Sequence, residues 1–315
     1  MDTWQKGIIE EDRNYGLFLT MTVRDPGRDG RSVAKLCGAF PALVEAISDL
    51  DPAGRLWATI SFGLRYWRAI SPQKEPTLFQ PLLQISVDNF DVPNTGGDLM
   101  VHINSDRADL NFELARRLTM NLVPHVDILE EIHGFRYLDS RDLTGFVDGT
   151  ANPKGEERAK VALIGDEDRD FTGGSYLLAQ RYVHSLTKWE KLSVAEQEKV
   201  IGRSKSDSQE LDESEMPTTA HISRVEIEED GVELQIVRHS LPYGKATGEA
   251  GLFFIAYAKD ASIFNKMLRR MFGRSRDGLH DHLMEYSRPA TGEIFFTPSL
   301  SILQELTTVD QSPTT

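Results

Sequence analysis

Apolar and polar positions along the chain fall into two periods that take turns, and the turn-taking repeats once. Tyr15–Asp25 (YGLFLTMTVRD) alternates with the period of two of a half-buried strand, and Ser32–Leu50 carries apolar residues at helical spacing. Trp57–Gly63 and Leu82–Asp88 read as strands, with the segment near Gly97–Asn104 competing for a place in the sheet. Arg107–Leu122 is an amphipathic helix, with Leu110, Leu114, Leu118 and Leu122 at every fourth position, and Val126–Leu138 closes this half as a strand.

The second half has the same rhythm. Gly174–Leu186 is strand-like, and Thr187–Arg203 contains a helix starting near Ser193, whose Ser-x-x-Glu spacing to Glu196 suits a capping box. Glu233–Leu241 and Gly251–Lys259 read as strands, Ala261–Phe272 as a helix with Phe264, Met267, Leu268 and Met271 on one face, and Glu293–Pro298 as the last strand. Two β-α-β-β-α-β units in tandem predict an α+β fold of duplicated ferredoxin-like units with antiparallel sheets, of the dimeric α/β-barrel kind. The division falls at 1–140 for the N-terminal unit and 141–315 for the C-terminal one.

Two stretches lie outside this rhythm. Asp139–Asp170 is turn-rich and contains GFVDGTANP (Gly145–Pro153), where Gly and Asn tolerate positive φ and Pro fixes it. Asp148 stands there directly behind the apolar pair Phe146-Val147, as though carried on a buried segment. Ser204–Thr219 is acidic and polar, reads as a solvated loop, and ends just before His221 and a strand-like run.

Composition narrows the function more by exclusion than by assertion. With 35 Lys and Arg against 49 Asp and Glu, the net charge of −14 repels phosphate backbones and anionic lipid, so no nucleic-acid or membrane partner is expected. No apolar run approaches the roughly 20 residues of a membrane span, and the N-terminus lacks the basic start and apolar core of a signal peptide. Cys37 is the only cysteine, which excludes an internal disulfide and cysteine-ligated zinc or iron–sulfur sites and fits a reducing, cytoplasmic location. HExxH, GxGxxG, Walker and nucleophile-elbow motifs are absent. His280-Asp281-His282 offers two imidazoles that could bind a divalent metal, but on a charged segment it reads as solvated surface. The polar C-terminal stretch Leu306–Thr315 reads as a loose tail.

The remaining chemistry concentrates in Ile236–Gly244 (IVRHSLPYG). On a strand, Arg238 and Ser240 share one face and His239 takes the other. In the following strand Leu252 and Phe254 share a face, and a cation and a hydroxyl beside such an apolar wall suit a flat hydrophobic cofactor with charged edges.

Taken together, Gly145-Phe146-Val147-Asp148-Gly149-Thr150, Asn152-Pro153, the Thr219-x-His221 pair and R-x-S-x-P-Y-G at Arg238–Gly244 resemble the dye-decolorising peroxidases of the bacterial cytoplasmic branch. That resemblance implies haem b as cofactor, hydrogen peroxide as oxidant and dyes or other small one-electron donors as reductants. It makes His221 the axial iron ligand, with Asp281 the candidate carboxylate behind it. Asp148 becomes the acid–base group on the opposite face, and Arg238 its neighbour beside a haem propionate and bound peroxide. Ser240, where some relatives carry Asn, would place a water there; Gly149, Thr150, Leu252 and Phe254 would complete the cofactor pocket. Oxidisable Tyr176, Tyr243 or Trp189 would pass electrons from reductants too bulky to enter, and ferredoxin-like sheets suggest a homo-oligomer, a dimer or larger. Two alternatives stand beside this reading. One is a non-catalytic haem carrier or haem iron-release protein, which needs His221 but not Asp148 and Arg238. The other is a haem-free relative of the fold, such as a monooxygenase or binding module.

Overall fold

The structure is a computed structural model that describes residues 3–87 and 90–308. Nine strands form one antiparallel sheet: β1 Tyr15–Val23, β2 Trp57–Gly63, β3 Leu99–Ser105, β4 Val126–Phe135, β5 Ser175–His184, β6 Val237–Arg238, β7 Leu241–Gly244, β8 Ala250–Ala258 and β9 Ser287–Thr297. Each half keeps the ferredoxin-like order, its second strand beside its third, then its first, then its fourth: β2-β3-β1-β4 in one, β7-β8-β5-β9 in the other. The outer strands then meet across the halves. Tyr243 of β7 pairs with Gly134 of β4, and Phe295 and Phe296 of β9 pair with Gly63 and Phe62 of β2. The sheet therefore closes into a barrel, and the edges that each four-stranded unit would expose are paired. β6 continues the line of β7 along β8, with Arg238 opposite Ala256.

Period-two alternation sorts side chains between the inside of this barrel and its outer faces. Phe18 and Met100 from the first half pack inside with Leu177, Ala179, Phe253, Ile255 and Phe295 from the second. Phe18 stacks on Phe253 with ring centroids 4.2 Å apart. The outer face of the first half is filled by α1 (Pro26–Gly38), α2 (Phe40–Ser48) and α3 (Ala108–Leu122), whose Val33, Phe40, Leu114 and Leu118 are buried against Leu17, Leu19, Val101 and Ile103. On the second half lie α4 (Val194–Ile201), α5 (His221–Val225) and α6 (Ser262–Met271), and α7 (Leu300–Thr308) crosses back to pack on α1.

Several elements differ from the sequence reading for identifiable reasons. The expected helix at Ser32–Leu50 starts earlier, at Pro26 with Asp25 capping Gly27 and Arg28, and breaks at Ala39 before a second helix carrying Pro41 near its start. Leu82–Val87 contributes no strand to the barrel sheet. Ile85–Val87 pairs only with Phe90–Val92 in a small hairpin, Asp88 lies outside the described residues, and Leu99–Ser105 takes the sheet position. Glu233–Leu241 is broken, because Leu234–Ile236 leaves the ladder to line a cavity. The run at His221 is a helix, and the last strand begins at Ser287, six residues before the expected start. The tail reading fails at its beginning, since Leu306–Thr308 belongs to α7; residues 309–315 lie outside the described residues. The capping box is present, with Ser193 Oγ accepting from Glu196 N–H and Glu196 returning to the Ser193 backbone.

Because the barrel interior is shared, Phe253→Ala is expected to destabilise the whole chain by about 3–5 kcal/mol. In urea unfolding both halves should still unfold together, at a lower midpoint. A variant whose second half melts alone would contradict a shared interior.

Candidate active site

The outer face of the second half is hollow where the first is filled. A cavity of about 230 Å³ lies over β5 and β8. Its floor is Leu178, Gln180, Tyr182 and His184 from alternate positions of β5, beside Leu252 and Phe254 of β8, which register opposite Tyr182 and Gln180. Met267, Leu268 and Met271 of α6, with Leu283 and Met284, make an apolar wall. The apolar pair expected from the sequence thus faces this space.

His221 enters from the first position of α5, after Ala220 in an extended conformation. Its Nδ1 lies 2.6 Å from Asp281 Oδ2, and the Asp281 side chain is wholly buried. Asp281 is itself fixed: its other oxygen accepts the Leu283 N–H at 2.8 Å, and its own N–H donates to Met271 O at 2.8 Å. The carboxylate makes Nδ1 the protonated nitrogen and leaves Nε2 with its lone pair, the arrangement in which a histidine binds metal.

Asp148 reaches the same cavity from the turn-rich segment. Gly145 (φ +89°) and Gly149 (φ +81°) occupy the left-handed region that favours glycine. Gly149 N–H donates to Asp148 Oδ1 at 2.7 Å, and Asp148 N–H to Ser140 O at 3.0 Å. Asn152 does more than end the turn. Its Nδ2 donates to Arg238 O at 2.8 Å and its Oδ1 accepts Arg238 N–H at 2.9 Å, so the loop carrying Asp148 is tied to the backbone of the residue carrying the guanidinium. Burial pushes the Asp148 carboxyl above its ordinary pKa; Arg238 opposes this and the nearby Asp142 charge adds to it.

Asp148, Gly149 and Arg238 also line a second cavity of about 150 Å³, with Asp12, Arg13, Arg136, Arg141 and Ser240. The Asp–Arg pair therefore stands where two spaces meet. Ser240 faces only the smaller one, its Oγ accepting the Ile255 N–H at 3.4 Å, while His239 turns the other way and pairs with Asp12. Thr150 borders the main cavity.

Several lining residues were not singled out from sequence, among them His184, Asp142 and Arg203. His184 holds Asp142 through Nε2 at 3.0 Å and Ser287 Oγ through Nδ1 at 2.9 Å. Burial pushes the Asp142 pKa up, but the His184 contact and the two Thr144 donors outweigh it and the carboxyl lies below its ordinary value. Arg203 adds a second cation to the rim. Alternation along Gly174–Leu186 could have placed His184 beside Tyr182; nothing local marks Asp142 or Arg203. Of the three oxidisable residues, Tyr176 is buried with its hydroxyl accepting the Leu78 N–H, and Tyr243 donates to Tyr182 O. Trp189 is buried beside the cavity wall, its Nε1 donating to Thr144 O and its ring edge-on to Phe146 and to the half-exposed Tyr286 at 5.3 Å.

Family models cover nearly the whole chain: "Dyp-type peroxidase, N-terminal" matches residues 5–136 and "Dyp-type peroxidase, C-terminal" residues 139–302. The chain belongs to the Dyp-type peroxidase family. It is 39% identical over 301 residues to the dye-decolorizing peroxidase of Mycobacterium tuberculosis, covering 95% of this chain and 89% of that protein. DyPB from Rhodococcus jostii RHA1 superposes with a TM-score of 0.92 at 38% identity, over 95% of this chain and 97% of that one. A variant of the same Rhodococcus protein in complex with heme gives 0.93 at 37% identity, over 96% and 99%. The fold, haem as cofactor and peroxidase chemistry follow from this membership, and a carrier role does not. The cavity fits haem on its own terms: an imidazole nitrogen left free by a buried carboxylate, apolar walls, and two arginines at the rim.

Two outcomes follow from this geometry. Asn152→Ala should leave the haem absorption band in place and slow the reaction with peroxide by at least about tenfold, the range typical of lost outer-shell support; an unchanged rate in stopped-flow would show that the clamp does not position Arg238. A buried acid whose folded pKa is raised opposes folding when ionised. Asp148→Asn should therefore have a higher thermal midpoint than the parent at neutral pH, the gap narrowing as pH falls through the folded pKa towards 3.8.

Proposed function

We propose that this chain is a peroxidase in which His221 holds the haem iron through Nε2, Asp148 moves the proton of hydrogen peroxide, and Arg238 stabilises the charge that develops beside it. The observation that carries the reading is that the Asp281-backed His221 and the clamped Asp148–Arg238 pair line one cavity. Haem, when bound, supplies a ferric iron that accepts an oxygen ligand and stores two oxidising equivalents. The Asp148 carboxylate accepts a proton from one peroxide oxygen and returns it to the other, so that water departs as the O–O bond breaks. The Arg238 guanidinium donates no hydrogen bond to a side chain and forms no ion pair among the described residues, which leaves its donors for peroxide or a propionate. Ser240, at the smaller cavity, orders water on the path by which peroxide arrives. Asp281 keeps His221 electron-rich, which favours O–O cleavage. Gly149, Thr150, Leu252 and Phe254 contact the cofactor.

With haem filling the apolar cavity walled by Leu252 and Phe254, bulky dyes do not fit beside it, so their electrons enter through the protein. Among the three residues picked out by sequence, Trp189 has the best position, in contact with Phe146 of the cavity wall and with half-exposed Tyr286. No helix among the described residues is long and apolar enough to cross a membrane, and the single, buried Cys37 supports a reducing, cytoplasmic setting. Exposed Phe112, Met120 and Val123 on and just after α3 support a homo-oligomer.

The test is spectroscopic. His221→Ala should lose the haem absorption band, whereas Asp148→Ala and Arg238→Leu should keep it and lose the rapid spectral change on mixing with peroxide; a full peroxide response in both would remove the proposed roles. In the parent protein the rate should fall as pH drops through the Asp148 pKa, because only the ionised carboxylate accepts a proton. Arg238→Leu removes a lowering influence, so the acid limb of any residual activity should lie at a higher pH. Trp189→Phe should slow dye turnover while leaving the peroxide step unchanged, and equal slowing of both would count against the route.

A further inference from the structure

The segment that supplies Asp281 carries a second potential metal site on its outer side. His280, His282 and Glu285 each offer a ligand atom, and these atoms all lie within 4.8 Å of one another. His280 Nε2 and Glu285 Oε1 are already 3.4 Å apart. Ligands bonded at 2.0–2.1 Å around a tetrahedral ion stand about 3.4 Å from each other, so that pair is at coordination spacing and His282 has to approach by about 1.5 Å at most. Glu285 is exposed and His280 half-exposed, which leaves rotamer freedom for this adjustment.

Both imidazoles are held from behind. The His280 ring lies 4.8 Å from the Phe90 ring, and its backbone bridges to Phe272. The His282 N–H donates to Thr219 O at 3.1 Å and its Nδ1 lies 3.3 Å from Thr219 Oγ, which engages Nδ1 and leaves Nε2 as the nitrogen for a ligand. The two rings are 5.5 Å apart, centroid to centroid. Asp281 between them is not a ligand, because both its oxygens are engaged inward by His221 and Leu283. The charge facing the cluster is Lys188, whose Nζ lies 3.8 Å from the other Glu285 oxygen; an exposed pair at that distance is weak and readily exchanged for an ion.

We propose that His280, His282 and Glu285 form a surface site for a first-row transition-metal ion, distinct from the haem and separated from it by the Asp281 peptide. Two imidazoles and one carboxylate select Cu²⁺ and Zn²⁺ over Mn²⁺ and exclude Mg²⁺ and Ca²⁺, which prefer all-oxygen sets. Occupancy joins the two neighbours of Asp281 into one chelate and stiffens the turn on which the His221 contact depends.

The experiment is calorimetric titration of untagged, metal-stripped holoprotein with ZnCl₂, repeated with CuSO₄ and MnCl₂. One equivalent of Zn²⁺ should bind outside the haem pocket, Cu²⁺ more tightly and Mn²⁺ more weakly, with the haem band retained and a raised thermal midpoint. His280→Ala and His282→Ala should each weaken Zn²⁺ by at least about tenfold, the smallest loss expected when even an outer-shell partner is removed. Glu285→Gln, at an exposed position where folding is not at stake, should weaken it as well. The proposal is overturned if the parent binds no Zn²⁺, or if Zn²⁺ affinity is the same in the parent and in Glu285→Gln and whichever histidine variants retain the haem band. Neither result bears on peroxide chemistry, so the two readings stand or fall separately.

Discussion

Closure of the sheet is the constraint on which the molecule depends. Each ferredoxin-like unit ends in two strands with unpaired N–H and C=O groups, and such edges are costly if buried and adhesive if exposed. Here β4 meets β7 at Gly134 and Tyr243, and β9 meets β2 at Phe295–Gly63 and Phe296–Phe62, so each half covers the edges of the other and pairs them at these seams. The barrel interior then takes large side chains from both halves, as in the Phe18–Phe253 stack, and neither half can hold that interior alone.

Duplication lets one copy be spent on stability and the other on chemistry. On the first half, long helices bury their apolar stripes directly on the sheet. On the second, the connections are broken into short helices and irregular segments, which stand away from β5 and β8 and leave a space floored by strand residues. Functional groups sit on the rim of that space at places where the backbone is irregular, but each is fixed by a hydrogen bond to something rigid. His221 is held by a buried carboxylate, Asp148 by the Gly149 N–H and Ser140 O, and the Arg238 backbone by the Asn152 side chain. Asp142 and His184 extend the same polar lining towards Trp189.

The sequence was most legible where periodicity is strong. β1, β2, α3, β5, β8 and α6 stand close to the positions their patterns indicate, because long alternating or helical stripes leave little choice of which face to bury. It was least legible where tertiary contacts decide. Ile85–Val87 has the composition of a sheet strand, yet Leu99–Ser105 occupies the ladder between β1 and β2. His221 precedes an apolar run that reads as extended, and the chain instead makes a helix of five residues there, too short to show a period. In the site, the family resemblance brought out Asp148, His221 and Arg238, whereas Asp142 and Arg203 lie outside the motifs that carry it, and their place on the cavity wall is set by the fold.

By itself, the sequence determined the antiparallel α+β rhythm and its duplication, since these depend on side-chain period within short windows, and its motifs carried the resemblance to the peroxidase family. Only the tertiary structure showed which strands close the barrel, β4 on β7 and β9 on β2, and that the cavity opens on the second half alone. It alone gave Asn152 its role as the tie between Asp148 and Arg238, and set His280 and His282 beside Glu285 on the back of the Asp281 turn. The reason is the same in each case: these features are pairings between residues remote in sequence or presented together by an irregular turn, and a hydrogen bond or a shared ligand depends on distances that no local pattern encodes.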